Sequence, residues 1–178
     1  MDKNDFNLSY KISDATPRNP ALEIISADGF AMAIKEFIND GFGGIAHVSC
    51  DVYSGSSILC STEYAAYFFK KLLAEIYGRV FLEMSIKTED DRLVIFIEPG
   101  EKLPLCDSQM RDLIRIARNA GMKITLDGDN IRLSASFADA ALRRVYAISA
   151  RDGKSIMLYK LGEIFHCGAV YHVAKGRK

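Results

Sequence analysis

Lys71 and Glu75 lie four residues apart in the stretch KKLLAEIYG, residues 70–78, near the end of a segment with helical periodicity. Because positions i and i+4 share one face of a helix, these two side chains are expected to meet. The first interpretation is a surface ion pair that contributes about 0.2–0.5 kcal/mol to stability. The second is part of a ligand site, since a glutamate oxygen can bind Mg²⁺. We favour the ion pair.

Five arginines could form a cationic surface. Arg111, Arg115 and Arg118 recur on the outer face of a later helical segment, and Arg143 and Arg144 follow further along the chain. Such a face could bind a protein partner or an anionic ligand. On a chain without net charge, a solvated helix face is the simpler interpretation. We therefore treat the first three arginines as candidate partner-contact residues only.

The histidines and cysteines do not follow the spacing of a metal site. In HVSC, strand alternation would place His47 and Cys50 on opposite faces. His166, Cys167 and His172 make only a partial set, whereas zinc needs three or four ligands at defined spacing. No metal site is predicted. A Cys–His nucleophile would be assembled in space, and no local signal marks one.

The composition is typical of a soluble globular domain and argues against several classes of function. The 178 residues contain 23 Lys plus Arg and 23 Asp plus Glu, so no excess of cations is available to neutralise phosphates. We expect no nucleic-acid partner, no secretory signal and no membrane segment. Four scattered cysteines are typical of reduced thiols, so the predicted location is cytoplasmic.

Helical and strand patterns alternate along the chain. A first helix is predicted in DGFAMAIKEFINDGFGG, with Asp28 as its cap and Gly41 as its stop, followed by a strand in GIAHVSCDVYSGS. A second helix should begin at Ser61 and end at Gly78, and a third should run through SQMRDLIRIARNAG. Hairpins are predicted in VFLEMSIKTEDDRLVIFIEPG and MKITLDGDNIRLSASF.

The C-terminal segment is less clearly patterned. FADAALRRVYAIS is predicted to begin as a helix and to become a strand, and RDGK is predicted to be a turn. SIMLYKLGEIF fits either type of element, because short apolar runs are ambiguous.

Three of these stretches resemble the ATP-binding domain of the histidine kinase-like ATPase superfamily, which includes gyrase-type, chaperone and anti-sigma members. STEYAAYFFKKLLAEIYG is similar to the family's first conserved helix, whose end typically reads NLLxNAxKY. LVIFIEPGEKLP is similar to the strand and turn that read as a hydrophobic run followed by DxGxG. SQMRDLIRIARNAGMKITLDGDNIRLSASF is similar to the closing helix and hairpin.

The resemblance implies an α/β (α+β) two-layer sandwich, with a mixed, mostly antiparallel sheet and helices packed on one face. It places the ATPase-like domain at residues 22–137. We expect an N-terminal arm at residues 1–21 and a C-terminal extension, residues 138–178, packed on the same domain.

The family's nucleotide-site residues carry over onto five positions. Glu75 stands where the resemblance implies a metal-holding Asn, and Lys71 stands where it implies a Glu or Asn near the attacking group. Glu98 corresponds to the Asp that accepts from the adenine amino group. Gly100 matches the first glycine of the following turn, and Lys102 replaces the second. These five residues are expected to line whatever pocket remains.

The glycine-rich lid of the family has no counterpart in LPLCDSQM, ahead of the third helix. Phosphate binding in this fold needs backbone N–H groups that approach closely, and glycine makes that approach sterically possible. We therefore expect no ATP turnover and no bound cofactor. The favoured interpretation is a degenerate, catalytically inactive domain that acts as a signalling or regulatory module. Its partner would be a protein, with a homodimer also allowed.

Two alternatives remain open. The first is a genuine Mg-ATP or Mg-ADP binding domain in which Glu75 is a metal ligand, and it predicts magnesium-dependent stabilisation by the nucleotide. The second is a small enzyme that uses the same cavity for an unrelated substrate. That enzyme would need a deep pocket with converging ionisable groups of perturbed pKa.

Overall fold

A computed structural model describes residues 21–149 and 152–166, whose strands form one five-stranded sheet and one separate pair. The strands are β1 (Glu23–Ser26), β2 (Ala46–Asp51), β3 (Ser57–Cys60), β4 (Leu82–Glu89), β5 (Arg92–Pro99), β6 (Lys123–Asp127) and β7 (Asn130–Ser136). The helices are α1 (Ala27–Phe42), α2 (Thr62–Ile76), α3 (Asp107–Asn119), α4 (Ala140–Val145) and α5 (Gly153–His166). Most of the predicted N-terminal arm, together with Cys167 and His172, lies outside the described residues.

The large sheet has the strand order β2-β4-β5-β7-β6, in which only β2 and β4 are parallel. The two predicted hairpins are β4–β5 and β6–β7. Asp90 and Asp91 both have positive φ, as a type I′ turn requires, and Gly128 takes the positive φ at the first central position of the second turn. The predicted mixed, mostly antiparallel sheet is confirmed.

Helices cover one face of this sheet. Alternate residues of β4, β5 and β7, such as Met84, Ile95 and Leu133, are buried against the helices and belong to one continuous core. Helix α1 packs against β2, while α3 packs against α2 and β6. Helix α5 packs against both α1 and α2. This arrangement confirms the two-layer α+β sandwich.

The separate pair β1–β3 was not predicted from the sequence. Each strand has only four residues, and the pattern of EIIS gives little evidence for two-residue periodicity. Strand β1 leads directly into α1, so Ser26 is the N-cap of that helix and the prediction of Asp28 as its cap is wrong. Asp28 lies in the first turn, where a carboxylate still interacts favourably with the helix dipole. Gly41 does not stop the helix, which continues to Phe42.

In the C-terminal segment, the ambiguous stretch SIMLYKLGEIF is helical and belongs to α5. The prediction of a turn at RDGK is wrong for its second half, because Gly153 and Lys154 form the first turn of α5. Asp152 acts as the cap, and its carboxylate accepts hydrogen bonds from the backbone and the hydroxyl of Ser155. Upstream, α4 is followed by an isolated bridge between Ile148 and Ile24, as the helix-then-strand pattern suggested.

Two glycines allow α5 to approach α1 closely. A Cβ atom added at Gly29 would lie 2.7 Å from the backbone nitrogen of Lys154, and one added at Gly153 would lie 3.0 Å from the carbonyl oxygen of Ser26. At the other end, Lys70 of α2 donates to the carbonyl oxygen of Ile164 at 2.7 Å. The helix is therefore fixed at both ends by backbone contacts.

The outer edge of β2 is covered by a side chain. The Asn39 amide of α1 donates to the Val48 carbonyl oxygen at 2.9 Å and accepts from the Val48 N–H at 2.7 Å. Such pairing satisfies a strand edge that would otherwise expose free backbone groups.

We predict that Gly29→Ala lowers the free energy of unfolding by about 1–3 kcal/mol, because the added methyl group forces α5 away from α1. The matched control is Gly41→Ala in the same helix, where an added Cβ meets no atom within 4 Å. That control should stabilise the protein by up to about 1 kcal/mol through helix propensity. Urea unfolding of both variants measures the difference, and equal effects would contradict the close contact.

We also predict that Asn39→Ala lowers the free energy of unfolding by about 1–3 kcal/mol, because it removes both partners of Val48. Asn39→Asp should also destabilise the protein, since a carboxylate accepts from the N–H but cannot donate to the carbonyl oxygen. The neighbouring exposed Asp40→Ala serves as the control and should stay within about 0.5 kcal/mol of the wild type. An Asn39→Asp variant as stable as the wild type would show that the carbonyl contact contributes nothing.

Candidate functional site

The predicted pair on α2 forms as expected from its spacing. Lys71 Nζ lies 3.5 Å from Glu75 Oε1, and the two side chains are 21% and 24% exposed. Because both are partly buried, the pair belongs to the packed surface between α2 and α3. The remainder of α2 is largely enclosed by the sheet and by neighbouring helices.

A third residue, Gln109 in the first turn of α3, completes this polar cluster. Its Nε2 donates to Glu75 Oε2 at 2.5 Å, and its Oε1 accepts from the Cys106 backbone N–H at 2.8 Å. We call this arrangement the Glu75–Gln109 bridge. It links α2 to the start of α3, and the Gln109 amide satisfies one backbone donor at that helix N-terminus.

The segment between β5 and α3 is short and partly buried. Residues 100–106 connect the two elements, and within them the Leu103 side chain is only 5% exposed and belongs to the main core. Leu105 also packs against that core. This segment corresponds to the region where the family resemblance implied a lid, and its apolar side chains are directed into the protein.

Glu98 lies on a different face of the sheet from the Glu75–Gln109 bridge. Glu98 is exposed and pairs with Glu83 across the hairpin, whereas its neighbour Ile97 is fully buried. Since successive strand residues point to opposite faces, Glu98 projects from the face of the sheet away from the helices. The structure therefore brings together Lys71 and Glu75 but not Glu98.

Gly100 and Lys102 are both exposed at the end of β5. The Gly100 N–H donates to the Phe81 carbonyl oxygen at 3.0 Å. A Cβ atom added at Gly100 would meet only that oxygen, at an ordinary 3.6 Å, so no close backbone approach requires glycine at this position. A ligand-binding role for these two residues stays a prediction.

Three clefts formed by described residues lie elsewhere. One of about 550 Å³ lies beside the β4–β5 turn, one of about 410 Å³ lies between β1 and α5, and a small one of about 20 Å³ lies between α1 and α2. None of these three is lined by any of the five predicted nucleotide-site residues. The smallest is close to the volume of one water molecule.

The three candidate partner-contact arginines are all exposed on α3. Arg111, Arg115 and Arg118 point away from the buried residues Leu113 and Ala117. Arg115 Nη2 lies 3.4 Å from Asp112 Oδ1, an exposed pair of little energetic weight. The predicted cationic helix face therefore exists, and its contact with a partner stays a prediction.

The cysteines have different environments. Burial raises the pKa of the Cys60 thiol, and burial is also the main cause of the raised pKa of Cys50. At exposed Cys106, a hydrogen bond with the Ser108 hydroxyl is the main cause of a lowered thiol pKa. No group of three or more metal-ligating side chains occurs within residues 21–149 and 152–166. Within the same ranges, no helix has the length and apolar content needed to cross a membrane.

Sequence reasoning missed Gln109. The usual signature of a capping box is Ser or Thr followed three residues later by Glu or Gln. In this chain Cys106 takes the first position, so the pattern CDSQ does not match that signature. The predicted third helix begins at Ser108, which makes Gln109 its second residue, so the capping position follows only from the observed start of α3 at Asp107.

Comparison with known proteins gives only distant structural similarity. No protein-family model matches the chain, and no curated protein matches it. Among solved structures, the cytoplasmic segment of histidine kinase QseC is 10% identical, with a TM-score of 0.42, over 72% of this chain and 82% of that one. The histidine kinase AdeS of Acinetobacter baumannii is 10% identical, with a TM-score of 0.43, over 66% of each chain.

The histidine kinase domain of the E. coli osmosensor EnvZ is 14% identical, with a TM-score of 0.40, over 70% of this chain and 94% of that one. Similarity this low concerns the path of the backbone and carries no information on ligands, chemistry or partners.

We predict that Glu75 and Gln109 are energetically coupled by about 1 kcal/mol, because their hydrogen bond involves a charged acceptor. Glu75→Ala, Gln109→Ala and the double variant form the cycle, with urea unfolding as the measurement. Lys71→Ala serves as the control and should cost about 0.2–0.5 kcal/mol, as expected for an ion pair within one helix. Additive effects of the two substitutions would contradict the Glu75–Gln109 bridge.

Proposed function

We propose that this chain is a catalytically inactive, regulatory protein-binding module of the signalling type, built on a histidine kinase-like fold. It neither hydrolyses ATP nor transfers its phosphate. The single observation that carries the proposal is the Glu75–Gln109 bridge, in which the chain's own side chains occupy the region where the resemblance implied a metal and phosphates.

The negative charge of Glu75 in the bridge supports the proposal that no nucleotide binds there. A helix N-terminus favours a negative charge, and anionic ligands such as phosphate bind there. Through Gln109, the carboxylate of Glu75 is held beside the first turn of α3. A polyphosphate at the same place would meet that negative charge and would have to break the hydrogen bond between Gln109 and the Cys106 N–H.

The short connection between β5 and α3 supports the same conclusion. A lid that closes over a ligand needs a segment free to move between two positions. Leu103 is instead anchored in the core, and moving it outward would expose apolar surface. Opening this segment for a nucleotide would therefore oppose the packing of α3.

A protein partner is supported by the surface that remains exposed. Arg111 and Arg118 form no salt bridge with another described residue, and their guanidinium groups can each make several hydrogen bonds to carboxylates. Arginine is enriched at protein interfaces, whereas Lys, Glu and Asp are depleted there. The outer face of α3 is therefore the surface we assign to a partner.

The test has a nucleotide arm and a partner arm. In the first, thermal unfolding is followed with and without millimolar ADP or ATP plus Mg²⁺. A ligand at about 100 times its dissociation constant would add roughly 2.7 kcal/mol of stability, and we expect no such shift. A magnesium-dependent shift that disappears in Glu75→Ala would overturn the proposal in favour of a working nucleotide site.

In the partner arm, proteins cross-linked to the wild type in a cell extract are compared with those cross-linked to the Arg111→Glu/Arg118→Glu double variant. A control variant, Arg79→Glu/Arg92→Glu, makes the same charge change at exposed positions outside α3. We expect the α3 variant alone to lose specific partners while keeping its unfolding midpoint. Identical sets of proteins from all three chains would contradict a role for this helix face.

A further inference from the structure

Three of the four outer edges of the two sheets are covered within the described part of the chain. The edge of β2 is covered by Asn39. The edge of β1 pairs with residues 147–149, through hydrogen bonds of 2.9 Å on both sides of Ile24. The edge of β3 is met by residues 137–138, where the Ala138 N–H donates to the Ser57 carbonyl oxygen at 2.7 Å.

The fourth edge, that of β6, has no such cover among the described residues. Strand β6 pairs with β7 on one side only, and its backbone makes no hydrogen bond to any other described segment. Its five residues are also more exposed than those of the other strands, with Leu126 at 45%. An exposed strand edge is a template for pairing with another strand, which proteins normally block.

The register of the β6–β7 hairpin identifies the backbone groups at this edge. Asp127 and Asn130 flank the two-residue turn and form the last pair of the ladder, so Asp127, Thr125 and Lys123 direct their N–H and C=O groups towards β7. Ile124 and Leu126 therefore direct theirs away from β7, towards the open edge.

The sequence of β6, KITLD, is complementary to itself in antiparallel pairing. A two-fold axis at Thr125 places Ile124 opposite Leu126 of a second copy, and these are the residues whose backbone groups point outward. The same register places Lys123 opposite the second copy's Asp127, on the face of the sheet away from the helices. Ile124 and Leu126 lie on the helix side, where pairing would cover the exposed Leu126 side chain.

We propose that two copies of this chain associate through β6, in antiparallel register about Thr125, to form a continuous ten-stranded sheet. The interface is isologous, so each Lys123–Asp127 pair occurs twice across the two-fold axis. Opposite charges in directly facing positions stabilise antiparallel pairs, and like charges destabilise them. A five-residue edge buries little area, so the dimer is weak and reversible.

Association through β6 does not depend on the function proposed above. Sedimentation velocity of the full chain, from micromolar to millimolar concentration, tests whether the dimer forms. We expect a reversible monomer–dimer equilibrium. Lys123→Glu and Asp127→Lys should each weaken association about tenfold, because each places two like-charged pairs across the axis. The double variant Lys123→Glu/Asp127→Lys should restore the wild-type dissociation constant to within about threefold.

Amide hydrogen exchange provides the second measurement. The Ile124 and Leu126 amides should exchange more slowly as the protein concentration rises, whereas the Thr125 amide, which faces β7, should change little. A chain that stays monomeric at every concentration would overturn the proposal. The proposal would also be overturned if neither single charge reversal weakened the dimer, or if the double variant failed to restore it. Either result would place the interface elsewhere.

Discussion

The helix layer depends on the close approach of α5 to α1 at Gly29 and Gly153. Helices α1 and α2 cover different parts of the sheet and make little direct contact, and α5 packs against both. A Cβ at Gly29 would meet the backbone of α5 at Lys154, and one at Gly153 would meet the backbone of Ser26, the N-cap of α1, so the contact requires both residues to lack a Cβ. At the other end of α5, Phe165 packs between Phe37 and Phe42, with ring centroids 4.9 and 5.1 Å apart. The C-terminal helix is therefore part of the main core.

Two amide side chains, on α1 and α3, perform comparable tasks. Asn39 pairs with both backbone groups of Val48 and so covers a strand edge, and Gln109 pairs with Cys106 and Glu75 and so connects two helices. In each case the amide donates and accepts at once, which a hydroxyl or carboxylate of similar size does less well. The chain thus satisfies with its own residues polar groups that could otherwise bind water, a strand or an anion.

The sequence predicted the regular elements well because their signals are local. Hydrophobic periodicity and turn residues identified the hairpins, and Ser61 and Gly78 marked the limits of α2, with Ser61 accepting from the Tyr64 N–H and Gly78 at positive φ. The features that the sequence did not predict depend on contacts between distant parts of the chain. Strands β1 and β3 are short and are stabilised by pairing with residues more than 30 positions away. The Lys71–Glu75 pair followed from helical spacing, but its contact with Gln109, 34 residues later, had no sequence signal.

The predicted site residues line none of the three described clefts, whereas the edge of β6 is exposed. Of the residues that the family resemblance assigns to a nucleotide, Glu75 is bonded to Lys71 and Gln109, whereas Glu98 is exposed on the other face of the sheet. Since α3 packs on β6, pairing of two copies through β6 would hold two cationic α3 faces in a fixed relation. A partner with two acidic surfaces could then bind both at once, and the second contact would be favoured by effective concentration without any new interaction. Weak association between copies would in this way control the strength of binding to a third protein.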